Sequence, residues 1–373
     1  LSADLEAEIK EIEAEVHQLA GEEFNLNSPQ QLGNILFEKL GLPVIKKTET
    51  GNYSTSADVL EELEGKHPII SLILDYRTYT KLKSTYVDPL EEYIREETGR
   101  IHTNFNQKVT ATGRLSSTEP NLQNIPIRTE EGRKIRQVFV AEEGYQLLSA
   151  DYSQVELRVL AHISKDEGLK SAFRDGVDIH TKTAKEIFGL ATEQTRRKAK
   201  AVNFGIAYGI SAWGLADRLD INQQEAQEYI DLYFERYPKV KEYIDNRKEQ
   251  AKEQGYVTTI FNRRRYLPEI NSSNYHRRQF AERTAINTPI QGSAADIMKL
   301  AMIEVAKELD KRETESKILL QVHDELVLEV PEEELETISG LVQETMEQVI
   351  DLEVPLDVDL KVGDNWNQMT KLN

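Results

Sequence analysis

The sequence predicts an α+β fold, and three observations carry that prediction. Apolar residues recur at helical spacing along the first twenty positions, strand-like runs stand at 145–150 and on both sides of His323-Asp324, and a long helical tract lies between those strands. Helices around a sheet built partly from a hairpin place the chain in the α+β class.

Taken in order, Leu5, Ile9, Ile12, Val16 and Leu19 repeat at four and three residues and give an apolar seam on an opening helix otherwise rich in Glu. The seam is too short for a coiled coil, so its mate is a helix of the same domain. Ser28, Pro29 and Gln31 supply an N-cap, a first-turn proline and a capping-box partner for a second helix that stops at Gly41. Residues 51–56 are polar and read as a loop. A third helical region, 67–86, carries Arg77, Lys81 and Lys83 near its end, where they fit either a grip on a phosphate backbone or a solvated helix end. From Arg100 the texture turns to short β-prone runs, and TATGRLSSTEPNLQNIPIR (110–128) is rich in amides, hydroxyls and arginines. It suits hydrogen bonding to sugars and base edges, though a polar surface loop has a similar composition. YQLLSA (145–150) reads as a buried strand running into Asp151. Helical patterning then continues to about Gly255, positive charge gathers at Arg263, Arg264, Arg265, Arg277, Arg278 and Arg283, and a helix carries Asn287 and Gln291 four apart beside small Gly292, Ser293, Ala294 and Ala295. KILLQV and ELVLEV around His323-Asp324 form a β-hairpin with an acid at its tip, and 355–362 alternates like one more strand.

Size and composition narrow the function. At 373 residues the chain predicts two or three subdomains, and a net charge of -19 argues against holding nucleic acid by overall charge, leaving that to local clusters. With no cysteine, any metal sits on oxygen or imidazole ligands. No basic-then-apolar leader and no apolar run of membrane-spanning length stand in the sequence, so a cytoplasmic protein without a membrane partner is expected.

The chemistry centres on RRKAKAVNFGIAYG (196–209). As a helix it aligns Arg196, Lys200, Phe204 and Tyr208 along one stripe, two cations followed by two rings, over roughly 18 Å. A nucleoside triphosphate fits that order of groups; an amphipathic helix with its cations in solvent and its rings in a core has the same spacing. If Asp151 and Asp324 meet in one sheet, their carboxylates and the carbonyl of Tyr152 could hold two Mg²⁺ ions, with the cations of the helix offsetting charge on a departing pyrophosphate and Lys200 able to donate a proton. Isolated turn aspartates are more often structural, and nothing local in the sequence says that these two meet.

DYSQVELRVLAH from Asp151, RRKAKAVNFGIAYG from Arg196 and QVHDELVLE from Gln321 resemble, in order, the three signature motifs of the A-family DNA polymerases, and QNIPIR and NTPIQGSAAD resemble two further blocks. The likeness runs through nearly the whole chain and is greatest to the bacterial branch. It implies a right-hand architecture: a helical thumb over 1–88, entered partway along its length, a palm with an antiparallel sheet over 89–165 and 290–373, and helical fingers over 166–289. It also implies a template-directed enzyme that adds deoxynucleotides to a primer, with Mg²⁺ as cofactor and Mn²⁺ able to substitute. Primer-template DNA and deoxynucleoside triphosphates would be its partners, and a monomer its working form. Asp151 and Asp324 would bind the metals, assisted by Glu325. His180, Arg196, Lys200, Phe204, Tyr208, Gln154 and Glu156 would surround the nucleotide, Glu156 closing the space beside the 2′ carbon against ribonucleotides. Tyr208 and Gly209 would lie where the template base enters. Arg114, Asn287 and Gln291 would read the minor groove of the primer terminus, Arg128 and Arg283 would hold the template, His323 would sit beside the primer end, and Asn124 and Lys81 would add DNA contacts.

Single-subunit RNA polymerases share parts of these motifs but lack an acid at the place of Glu156. The connection from Gly189 to Arg196 is shorter than the family pattern, which bears on the tip of the fingers. A chain that enters inside the thumb, with no exonuclease region before it, is expected not to proofread. The competing expectations are a catalytically weak or inactive primer-template-binding fragment and a two-metal nuclease, the latter with no use for the Arg196 helix.

Overall fold

The computed structural model describes residues 1–127 and 129–372, and the chain forms two compact units, Leu1–Asn104 with Thr118–Phe139 and Phe105–Ser117 with Val140–Asn373. Arg128 lies outside the described residues.

In the first unit, helix α1 (Ser2–Ala20) packs on α2 (Pro68–Leu82). Ile12, Val16 and Ala20 meet Ile69, Ile70 and Ile73 in a core that also takes Leu32 and Leu36. The apolar seam is therefore real, but Ala20, not Leu19, closes it: Leu19 is 38% exposed, because the last turn rotates it off the packed stripe. Ser28 does cap the next helix, its hydroxyl accepting from the Gln31 N–H at 3.4 Å. The reciprocal half of the capping box is not made, since the Gln31 side chain accepts from the Asn25 N–H at 2.9 Å. That segment is a short α-helix, Pro29–Gly33, continued as a π-helix over Asn34–Lys39.

The second unit is built on a five-stranded antiparallel sheet. Its strands are β1 (Tyr145–Tyr152), β2 (Lys317–Val322), β3 (Glu325–Pro331), β4 (Val358–Gly363) and β5 (Thr370–Lys371), in the spatial order β5-β4-β1-β3-β2. β1 is central because Leu147, Leu148 and Ala150 are apolar on both faces, as a strand needs when protein covers it on two sides. The hairpin expected around His323-Asp324 is β2 and β3, and the closing strand begins at Val358. Leu148, Ala150 and Tyr152 share a core with Leu326, Leu328 and helices α6 (Tyr275–Lys311) and α7 (Leu335–Glu347). Strand alternation turns Ser149 and Asp151 to the other face.

Between β1 and α6 runs a helical region whose core includes Leu157, Val202, Ile206, Tyr233 and Tyr237. It contains α3 (Val155–Ser164), α4 (Ile179–Phe188) and α5 (Glu193–Ala207). The Arg196 stretch is thus helical as far as Ala207, and Tyr208 is its C-cap. Gly209, at φ +68, turns the chain back, and only glycine takes that conformation without strain. In α6, Gly292, Ser293, Ala294 and Ala295 are all buried, so their small size serves close packing. Among the described residues no helix is long and apolar enough to cross a membrane.

Candidate active site

Asp151 and Asp324 are brought together by strand pairing. β1 and β3 run antiparallel with Asp151 opposite Glu325, and the Tyr152 N–H donates to the Asp324 carbonyl at 3.0 Å. The hairpin tip therefore lies against the end of the central strand. His323 stands at φ 54 in the two-residue turn and Gln154 at φ 54 just past β1, both in left-handed backbone that costs energy for a residue with a side chain.

The acids crowd one another. Asp151 is exposed as a residue, yet surrounding protein strips part of its carboxyl's hydration. That desolvation, with the charges of Glu325 and then Asp324, pushes its carboxyl up to about 7. Burial likewise raises Asp324, against the pull of Arg114 and His323. Glu325 is drawn aside: its Oε1 accepts from Ser149 Oγ at 2.5 Å. Among the described residues no three His, Asp or Glu side chains form a ready metal cage. A cation held here would rest on the two aspartates together with backbone oxygen such as that of Tyr152, a hard donor set suited to Mg²⁺ or Mn²⁺.

Next to the aspartates, Glu156 projects from the first turn of α3 and is only 4% exposed. Its carboxylate accepts from Arg114 Nη2 at 2.8 Å and from the Tyr208 hydroxyl at 2.6 Å. Burial still wins and raises the Glu156 carboxyl, because the two hydrogen bonds only partly replace lost water. Arg114 also lies 3.6 Å from Asp324, so one guanidinium links both acids. Gln291 reaches the Tyr208 hydroxyl from α6, which places it in the same pocket.

A second cluster continues from Tyr208. The Tyr208 ring is 6.0 Å from Phe204, and Phe204 is 5.6 Å from His180 on α4. His180 is buried, its Nδ1 is 3.0 Å from Asn203 Nδ2, and desolvation holds it near 4, helped by the charges of Arg196 and Lys200. It is a neutral imidazole at physiological pH. Arg196 and Lys200 are exposed on the same side of α5.

Arg114, Asp151, Tyr152, Gln154, Glu156, His180, Arg196, Lys200, Phe204, Tyr208, Arg283, Asn287, Gln291, His323, Asp324 and Glu325 all belong to the second unit. Gly209 backs directly on Arg283. Lys81 lies in the last turn of α2 and Asn124 accepts a 2.8 Å bond from the Tyr86 hydroxyl through its carbonyl, both within the first unit. Sequence reasoning missed Ser149, Asn203 and Asp178. Asp178 carried a readable signal, an Asp just before a helical run; the other two did not.

Comparison with known proteins matches the model of DNA polymerase family A to residues 1–368. DNA polymerase I of Geobacillus stearothermophilus is 57% identical over 371 residues, which covers 98% of this chain and 42% of the relative. That of Bacillus subtilis is 56% identical over the same shares of the two chains. The chain thus spans less than half the length of these curated relatives. The solved POL domain of Pol1 from M. smegmatis, in complex with DNA primer-template and dNTP, superposes with a TM-score of 0.93 at 47% identity, over 98% of this chain and 65% of that one.

Proposed function

Because the chain belongs to DNA polymerase family A, we propose that it is a template-directed DNA polymerase that adds deoxynucleotides to a primer 3′ end. The observation that carries this reading is the 3.0 Å bond from the Tyr152 N–H to the Asp324 carbonyl, which sets two distant acids side by side next to a cationic, aromatic helix. In this reading residues 1–88 are the thumb, 89–165 and 290–373 the palm, and 166–289 the fingers. The protein works as a cytoplasmic monomer.

Asp151 and Asp324 would hold divalent ions, Mg²⁺ or in its place Mn²⁺, with the Tyr152 carbonyl. The raised carboxyl of Asp151 supports this, since negative charge here is under-compensated by the protein. When bound, two such ions supply activation of the primer hydroxyl and charge neutralisation at the leaving group. Arg196 and the neutral His180 receive the triphosphate, Lys200 lies within the same stripe to donate a proton to pyrophosphate, and Phe204 packs on the sugar and base. Gln154 and Tyr208 complete that pocket. Glu156, fixed by Arg114 and Tyr208, occupies the volume a 2′ hydroxyl would need and, being buried, offers it no water in exchange. Asn287, Gln291 and Arg114 suit the acceptors that all four base pairs share in the minor groove. His323 takes the primer end, Arg283 and Arg128 the template, and Lys81 and Asn124 the duplex backbone.

Primer extension with Mg²⁺ and deoxynucleotides tests the proposal. Asp324→Asn should abolish extension while primer-template binding persists. Extension at the parental rate would remove the metal assignment, and DNA binding without any incorporation by the parent would favour an inactive binding fragment.

A further inference from the structure

Asp178 N-caps α4, and both its oxygens accept hydrogen bonds. Oδ1 accepts from the His180 N–H at 3.3 Å, and Oδ2 accepts from the Thr181 hydroxyl and from Arg196 Nε, each at 2.6 Å. Capping explains the first of these contacts, and Ser, Thr or Asn caps as well as Asp. Only the bond to Arg196 calls for a full negative charge. Arg196 is half exposed, its Nε is taken, and among the described residues its terminal nitrogens make no hydrogen bond.

Resting on the polymerase reading above, we propose that Asp178 is a positioning residue: it grips Arg196 by Nε and presents the terminal N–H groups of the guanidinium to the triphosphate of the incoming nucleotide. A free arginine would have to give up its rotamer freedom when the nucleotide binds; one already held by its Nε does so on folding. The ion pair forms in spite of partial burial. Burial opposes ionisation of Asp178, but the Arg196 and Thr181 bonds and the Arg196 charge outweigh it and hold the carboxyl down to about 2. The same acid anchors the first turn of α4, which carries His180 against Asn203 of α5, so both phosphate-facing groups are referred to one point.

The test is steady-state primer extension at varied deoxynucleotide concentration with the parent, Asp178→Ser, Asp178→Asn, Arg196→Ala and the Asp178→Ser/Arg196→Ala double variant. Serine keeps the cap and removes the grip. We expect the nucleotide KM to rise about tenfold, with kcat within about threefold, as the charge-assisted hydrogen bond to Arg196 is lost; the unfolding temperature should fall modestly, since the Thr181 and Arg196 bonds to the carboxylate also stabilise the fold. Asparagine, which keeps an acceptor oxygen without the charge, should fall between parent and serine. In the Arg196→Ala background the serine change should add less than about twofold. An unchanged or lowered KM in Asp178→Ser, or the same rise with Arg196 already removed, overturns the proposal and leaves the polymerase reading intact. If Asp178→Ser is not folded at the assay temperature, the cycle is read with Asp178→Asn on the same criteria. A parent that extends no primer overturns both.

Discussion

Replacing Asp151 by Asn should make the protein more stable at neutral pH while destroying its activity. The Asp151 carboxyl titrates near 7 instead of 3.8, because desolvation and the neighbouring Glu325 and Asp324 charges oppose its ionised form. A carboxyl raised in the folded state keeps a proton that the unfolded chain has released. The parent therefore loses stability as pH rises from about 4 to about 7 and carries that deficit above it. In a site shielded from solvent that shift would correspond to roughly 4 kcal/mol. Asp151 is solvent-exposed, so screening reduces this, and about 1 kcal/mol is the realistic gain for the neutral isostere. In a chelator-containing buffer at pH 8, calorimetry should show the main transition of Asp151→Asn roughly 2 °C above the parent. The gap should close at pH 4. Added Mg²⁺ should raise the parent and leave the variant unmoved, since binding to the native state alone stabilises it. An Asp151→Asn protein no more stable than the parent at pH 8, or one whose advantage persists at pH 4, would refute the reasoning.

Glu156→Ala should lower discrimination against ribonucleotides by at least roughly tenfold in competition extension assays, because it opens the space held by a carboxylate bonded to Arg114 and Tyr208. Unaltered sugar selection would remove Glu156 from that role. Gly292→Ala should destabilise the protein by about 1–3 kcal/mol in denaturant unfolding, through overpacking in α6. Its Cβ would lie 2.7 Å from Thr259 Cγ2 and 3.3 Å from the Thr112 carbonyl oxygen, and one of those must shift.

Much of the fold is legible wherever neighbours along the chain carry the information. The apolar runs KILLQV and ELVLEV on either side of two polar residues yield β2 and β3 directly, because two short apolar runs separated by a two-residue break are the pattern of a hairpin. The Arg196 stripe follows from helical periodicity in the same way. Local rules falter where two partners compete for one side chain. Gln31 bonds Asn25 instead of completing its capping box, and Leu19 yields the seam to Ala20.

Composition and motif order alone determined that this chain lacks thiol chemistry, carries its cations in clusters against a net negative charge, and spaces its acids and rings as the A-family polymerases do. Tertiary structure decided which of those groups face one another. Arg114 and Tyr208 reach Glu156 across 42 and 52 positions, Arg196 reaches Asp178 across 18, and Asp324 reaches Tyr152 through a strand pairing that no local pattern specifies. Periodicity records which face of an element is apolar and is silent about what that face meets. The raised carboxyl of Asp151 and the neutral imidazole of His180 exist only once folding removes water and brings charges together.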